Sequence, residues 1–172
     1  TNIVNITLKN LIFVDYMLGQ TVRNIQKRKI KQLLRISAAQ ILFMDSDNAG
    51  VVYEAGEISK IINKHQTGFV NATLQAIIKN KEEIINAIPE DKKEGIVHSY
   101  PQWFVNKLKT DYPDDYLAMM KAYKERSYLS VRYNSKKLSK DDFEKILSEI
   151  KSEVLFFADE VYYLSNGNIL AT

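Results

Sequence analysis

The chain contains no cysteine. That excludes a disulfide framework, a thiolate metal site and a cysteine nucleophile, and it accords with a reducing compartment, so a cytoplasmic location is expected. No apolar run approaches the roughly 18 to 20 residues that a membrane helix needs, and the first residues lack the charged-then-apolar layout of a signal peptide, so no membrane partner is expected. Also lacking is a glycine-rich strand-to-helix turn of the kind that seats a dinucleotide-like cofactor. His65 and His98, the two histidines, fall in no HExxH-type spacing, which argues against a metal site. No strong internal repeat or low-complexity tract appears.

What is present is a chain of 172 residues, 45% hydrophobic, enough for a buried core in one domain or a small pair. Its net charge of +3 and pI near 8.9 are too mild to announce a nucleic-acid binder. Distribution says more. Between Thr1 and Arg35, seven cations (Lys9, Arg23, Lys27, Arg28, Lys29, Lys31, Arg35) face the single anion Asp15, while Ile36 to Gln66 is mildly acidic.

Apolar Leu8, Leu11, Ile12, Phe13, Val14, Met17 and Leu18 predict a first helix that stops at Gly19. An opening element this apolar needs partners on several sides, so further helices are expected upstream. Ile25 to Met44 predicts a long helix. Its apolar face carries Ile30, Leu33, Leu34, Ala38, Ile41 and Leu42, and its other face sets Lys27, Lys31 and Arg35 at successive i+4 steps. Like charges at that spacing cost a few tenths of a kcal/mol per pair, a cost that a polyanion removes. The polar turn at Asp45 to Gly50 offers N-caps for a third helix, Val51 to Asn63, with Val52, Ala55, Ile58, Ile61 and Ile62 inward. A fourth helix starts at Thr67 or Gly68 and keeps Phe69, Val70, Thr73, Leu74, Ile77, Ile78, Ile84 and Ile85 in one stripe, ending before Pro89. Asn71, near its start, is expected to bond backbone groups of a neighbouring turn.

Short joints between these segments predict an antiparallel helical bundle. The polar segment Pro89 to Gly95 reads as a boundary, giving a helical domain over 1–95. A helical extension over 96–126 splits at Pro113, its first helix begun by Ser99 with Pro101 in the opening turn and Trp103 in the core. Over 127–172 the period changes: YLSVRYN alternates, a helix follows behind Ser139 with Asp141 and Asp142 in its first turn, and EVLFF and VYYL read as strands before a turn at Asn166 and Gly167. The expected class is mainly α, a helical bundle followed by a small α+β (βαββ) module.

The stretch LLRISAAQILFMDSDNAGVVYEAGEISKIINKHQTGFVNATLQAIIKNKEE (33–83) resembles the NusB-type RNA-binding helical fold. HSYPQW (98–103) and LSVRYNSKKLSKDDFEKIL (129–147) resemble the segments that follow this fold in the RsmB/Sun/Fmu family of bacterial methyltransferases, which modify carbon 5 of a cytosine in small-subunit ribosomal RNA. Two positions depart from the pattern, Gln75 where arginine is usual and Tyr53 where asparagine is usual. The resemblance implies a NusB-like antiparallel bundle, and a fragment with helices upstream of Thr1 and an S-adenosylmethionine-binding methyltransferase domain downstream of Thr172. Carbon-5 methylation needs a cysteine thiolate to activate the ring. A chain without cysteine is then expected to hold no catalytic residue and no cofactor, with S-adenosylmethionine in the domain beyond it and that domain and ribosomal RNA as its partners. An auxiliary region of such an enzyme must grip the strand flanking a base that is pulled from its stack.

Two groups of residues suit that grip. Arg23, Lys27, Arg28, Lys29, Lys31 and Arg35 form one; a solvated face of a lysine-rich helix is its plain alternative. Arg132 and Asn134, sharing one strand face beside Lys136 and Lys137, form the other, with an edge-strand salt bridge as the alternative. Trp103 and Tyr100 read as core aromatics rather than base-stacking platforms. A rival function is a NusB-like transcription antitermination or assembly factor that works through RNA and protein contacts.

Overall fold

The apolar opening of the chain folds as two helices, α1 (Asn2–Lys9) and α2 (Leu11–Thr21), with Asn10 between them. The computed structural model describes residues 2–25, 27–125, 128–149, 153–158 and 160–164. Helix α2 buries Phe13, Val14, Met17 and Leu18. It runs through Gly19, contrary to the expected stop there, because Gly19 keeps a negative φ and the Thr21 hydroxyl closes the end by donating to the Leu18 carbonyl at 2.9 Å.

Helix α3 (Arg28–Phe43) begins three residues later than its apolar period predicts, with Lys27 extended at the N-cap, and it buries Ile30, Leu33, Leu34, Ser37, Ala38 and Ala39. Asp47 caps α4 (Asn48–Asn63) by accepting from the Ala49 and Gly50 amides at 3.2 and 3.0 Å. The inward face of α4 differs from the expected one. Ile58 and Ile61 are 46% and 88% exposed, and the buried positions are Val51, Val52, Ala55, Gly56 and Ser59. Small residues win there because α5 (Thr67–Asn86) approaches closely: a Cβ on Gly56 would lie 3.0 Å from Asn71 Oδ1. Buried Ser59 donates to the Gly56 carbonyl at 2.7 Å and meets Thr67 Oγ1 at 2.9 Å. Asn71 therefore touches α4, but its buried Oδ1 has no hydrogen-bond partner among the described residues, so the backbone bond expected of it is not formed. Val70, Thr73, Leu74, Ile77 and Ile84 of α5 complete the buried stripe against α2 and α3.

No unit ends at Gly95. The chain divides at 124/125, into Thr1–Lys124 and Glu125–Thr172. The polar segment instead forms α6 (Glu90–Val97), whose Gly95 is buried, and the Glu94 carboxylate accepts from Tyr116 Oη at 2.8 Å and pairs with Lys109 at 2.5 Å. Those bonds fasten α6 to α7 (Gln102–Asp111) and to the start of α8 (Tyr116–Ala122), where Val105, Leu108 and Met120 make a second small core. Ser99 does not open α7. It sits in the left-handed region at φ 51°, and its hydroxyl oxygen accepts from the Phe13 amide at 3.0 Å, one of the orphan donors in the first turn of α2. Trp103 is 70% exposed instead of core, because Val105 and Leu108 take the inner face of this short helix.

The second unit matches its predicted order: β1 (Leu129–Arg132), α9 (Lys140–Glu149), β2 (Val154–Ala158) and β3 (Val161–Leu164). Its sheet is antiparallel in the order β1–β3–β2. Leu147, Tyr162 and Leu164 form its core with Leu129, Val131, Tyr133 and Phe143 around them. The Ser139 hydroxyl caps α9 by accepting from the Asp142 amide at 3.2 Å. The turn expected at Asn166 and Gly167 lies outside the described residues.

Candidate nucleic-acid interface

The first group of predicted cations gathers where α3 begins. Arg23, Lys27, Arg28 and Lys29 are exposed and Lys31 is half-buried. The first turn of α3 contains no acidic residue, and no side chain caps it. Cations beside the positive end of a helix dipole are unfavourable by about 0.3–1 kcal/mol each, and among the described residues none of these five has an ion-pair partner. Free amides and unpaired cations together make a surface suited to an anion such as phosphate.

Arg35 does not join them. Its guanidinium lies across Asp15 of α2, with Nε at 2.7 Å from Oδ1 and Nη2 against Oδ2. That hydrogen bond, opposed in part by burial, raises the Arg35 pKa. The residue is an interhelix tie, and its i+4 spacing to Lys31 reflects the helix period alone. Four of the remaining five cations divide between two hollows. Arg23 and Lys31 line a mixed one of about 220 Å³ with Asp15, Leu18, Val22 and Asn24. Arg28 and Lys29 border an apolar one of about 570 Å³ floored by Leu33, Ile36, Ile58 and Ile62.

The second group sits at the end of β1. Arg132, Asn134 and Lys136 line a polar hollow of about 440 Å³ with Tyr133, Ser135 and Glu160. The edge-strand salt bridge is not formed: neither Arg132 nor Lys136 pairs with Glu160 or any other carboxylate among the described residues. Asn134 lies beyond the strand. Its Oδ1 accepts from the Lys136 amide at 3.0 Å while its carbonyl accepts from the Lys137 and Leu138 amides, an Asx turn that occupies the side-chain oxygen and presents Lys136 beside Arg132.

A third basic cluster was not legible in the sequence, because its members stand more than a hundred residues apart. Lys9 Nζ donates to the Lys124 carbonyl at 3.2 Å and Lys124 Nζ to Asn10 Oδ1 at 2.8 Å. Burial and Lys9 lower the Lys124 pKa, and burial with Lys124 and Lys121 nearby lowers that of His98. Among the described residues no group of acidic, histidine or cysteine side chains is arranged to hold a metal, and no helix is long and apolar enough to cross a membrane.

The NusB family matches residues 1–79, and the Methyltr_RsmF/B-like, ferredoxin-like domain matches residues 100–160. Among curated proteins, the Probable ribosomal RNA small subunit methyltransferase B of Bacillus subtilis (strain 168) is 32% identical over 117 residues, 65% of this chain and 26% of the relative. Ribosomal RNA small subunit methyltransferase B of Cronobacter sakazakii is 23% identical over 125 residues, 72% of this chain and 28% of the relative. Transcription antitermination protein NusB of Campylobacter jejuni (strain RM1221) is 33% identical over 86 residues, covering 47% of this chain and 65% of that protein. The chain thus spans little more than a quarter of its methyltransferase relatives. The crystal structure of PH0851 shares the fold over 97% of this chain and 39% of its own, with a TM-score of 0.66 at 17% identity.

Proposed function

This chain carries a NusB domain followed by the RsmF/B-type ferredoxin-like domain, and on that premise we propose that it is the RNA-binding, substrate-positioning N-terminal region of an S-adenosylmethionine-dependent methyltransferase acting on cytosine carbon 5 of small-subunit ribosomal RNA. The observation that carries this is the order of the two domains along one chain. The cations at the start of α3, Arg23, Lys27, Arg28, Lys29 and Lys31, and the pair Arg132 and Lys136 hold phosphates, which fix position and orientation without reading sequence. The partners are the ribosomal RNA and the enzyme's own methyltransferase domain, in the cytoplasm.

Catalysis belongs outside these residues. The chain supplies no thiolate to activate the cytosine ring. Its described sheet is antiparallel and so lacks the crevice at the carboxyl ends of parallel strands where such a cofactor binds.

Filter binding to small-subunit ribosomal RNA over a salt series tests the proposal. Log affinity is expected to fall linearly with log salt, and the combined Lys27→Glu, Arg28→Glu and Lys31→Glu variant is expected to flatten that slope. A salt-independent response or no binding overturns the phosphate grip. The similarity to the Campylobacter protein over 86 residues favours a second function, antitermination or assembly through RNA and protein contacts. The coding sequence past Thr172 separates them: a methyltransferase domain bearing a cysteine supports the first, a stop codon the second.

A further inference from the structure

Among the described residues one face of the small sheet carries the unit's core and the other carries none of it. Cross-strand partners assign the residues. Val131, Tyr162 and Phe157 form one row, with Tyr162 buried in the core beneath α9; the adjacent row, Ser130, Tyr163 and Phe156, and the side chain of Arg132 beyond it, point to the opposite face. That opposite face is aromatic. The rings of Phe156 and Tyr163 stack with centroids 4.2 Å apart and planes 14° apart, and Tyr128 meets Phe156 edge-on at 5.9 Å. Phe156 is 47% exposed and Tyr128 58%. No hydrogen bond engages either tyrosine hydroxyl among the described residues.

Resting on the RNA-binding reading above, we infer that this face is a stacking site for the unpaired bases of a single-stranded RNA segment, with Tyr163 and Phe156 as the platform and Arg132 on the strand backbone. The Phe156–Tyr163 pair has two outer π faces. The one on Tyr163 looks over Ser130, its direct partner and a small side chain. Paired residues of neighbouring strands stand about 4.5–5.5 Å apart, so a base lying on the Tyr163 ring fits above Ser130 without displacing it. Arg132 stands two residues along the same strand face, roughly 7 Å away, within reach of the phosphate or of the next base. Lys136 lies beside it. Aromatic faces accept any base, so the site holds strand rather than sequence. Composition favours this occupant over a protein: Tyr128, Ser130, Arg132, Phe156 and Tyr163 offer rings, a hydroxyl and a guanidinium beside the smaller Ala158 and Val161, while Leu129, Val131 and Leu164 are turned to the core.

The test uses the 172-residue chain with a labelled ten-nucleotide single-stranded RNA and a blunt duplex of the same length. Leucine replacements keep the face apolar but remove the ring. Phe156→Leu and Tyr163→Leu are each expected to weaken single-strand binding by about 5- to 150-fold, with duplex binding and the salt slope unchanged. Leucine variants that bind single strand like the parent overturn the stacking site and leave the phosphate grip standing, which is also the outcome if the face docks a protein. Absence of salt-dependent binding to either RNA removes both. Against the case in which a variant fails to fold, 4-thiouridine crosslinking of the unaltered chain gives a second readout. Adducts on Tyr128, Phe156 or Tyr163 support the site, and adducts confined to 1–124 overturn it.

Discussion

A methyl group added at Gly56 would sit 3.0 Å from Asn71 Oδ1, closer than nonbonded atoms settle without movement, and both helices are packed. Gly56→Ala is therefore expected to lower stability by about 1–3 kcal/mol. In a denaturant series the double variant with Asn71→Ala should recover part of that loss, a non-additive result that identifies the pair as the point of closest approach. Arg35 and Asp15 are coupled differently, through charge and hydrogen bonds between α2 and α3. Arg35→Gln is expected to cost about 1–3 kcal/mol while RNA affinity of the folded protein stays unchanged, because the guanidinium is already committed. Tyr162 gives a titration. Burial, aided by donation to Glu144 Oε1 at 2.7 Å, pushes its phenol up to about 12. The folded state keeps this proton longer than the unfolded chain, whose phenol titrates near 10, so stability holds below about pH 10 and falls as pH rises from there to about 12. Tyr162→Phe should flatten that alkaline decline in melting curves of the second unit. The residue patterns were only half legible: Ser139 announced itself as a cap by type and position and Asp47 as one of several candidates in its turn, whereas Asn71 and Arg35 acquired their contacts from other helices.

At the scale of elements, the proposed RNA grip sets stability against use at α3. Its amides point toward a cluster of cations that the helix dipole disfavours. Arg28→Glu and Lys29→Glu are each expected to stabilise the fold by about 0.3–1 kcal/mol while weakening RNA binding and reducing its salt slope. Thermal melts and filter binding on the same samples check both directions, and a charge that serves only as a solvated face would change the first without the second. Helix α4 shows why its inward face escaped periodicity. Ile58 and Ile61 keep an apolar period, but Ala55, Gly56 and Ser59 give the smaller cross-section that a close neighbour requires. Periodicity reports which residues are apolar, and the approach distance of the next helix selects among them.

The molecule as a whole has separate cores. Leu74 is fully buried among the first unit's helices and Leu147 nearly so beneath the second unit's sheet. Leu74→Ala and Leu147→Ala should each cost about 2–5 kcal/mol, and amide exchange should show the loss confined to residues 1–124 in the first case and to the β1–β3 unit in the second. Sequence by itself determined the class, the helix-to-sheet order, the caps and the clustering of basic residues at the front, because periods, turn chemistry and charge are properties of short segments. Only tertiary structure decided that Gly95 lies inside a unit, that Ser99 serves α2, that Arg35 is tied to Asp15, and that the Phe156 and Tyr163 rings stack. Each of those depends on which segment arrives next to it and in what register, and hydrophobic burial, being non-directional, leaves that choice to packing.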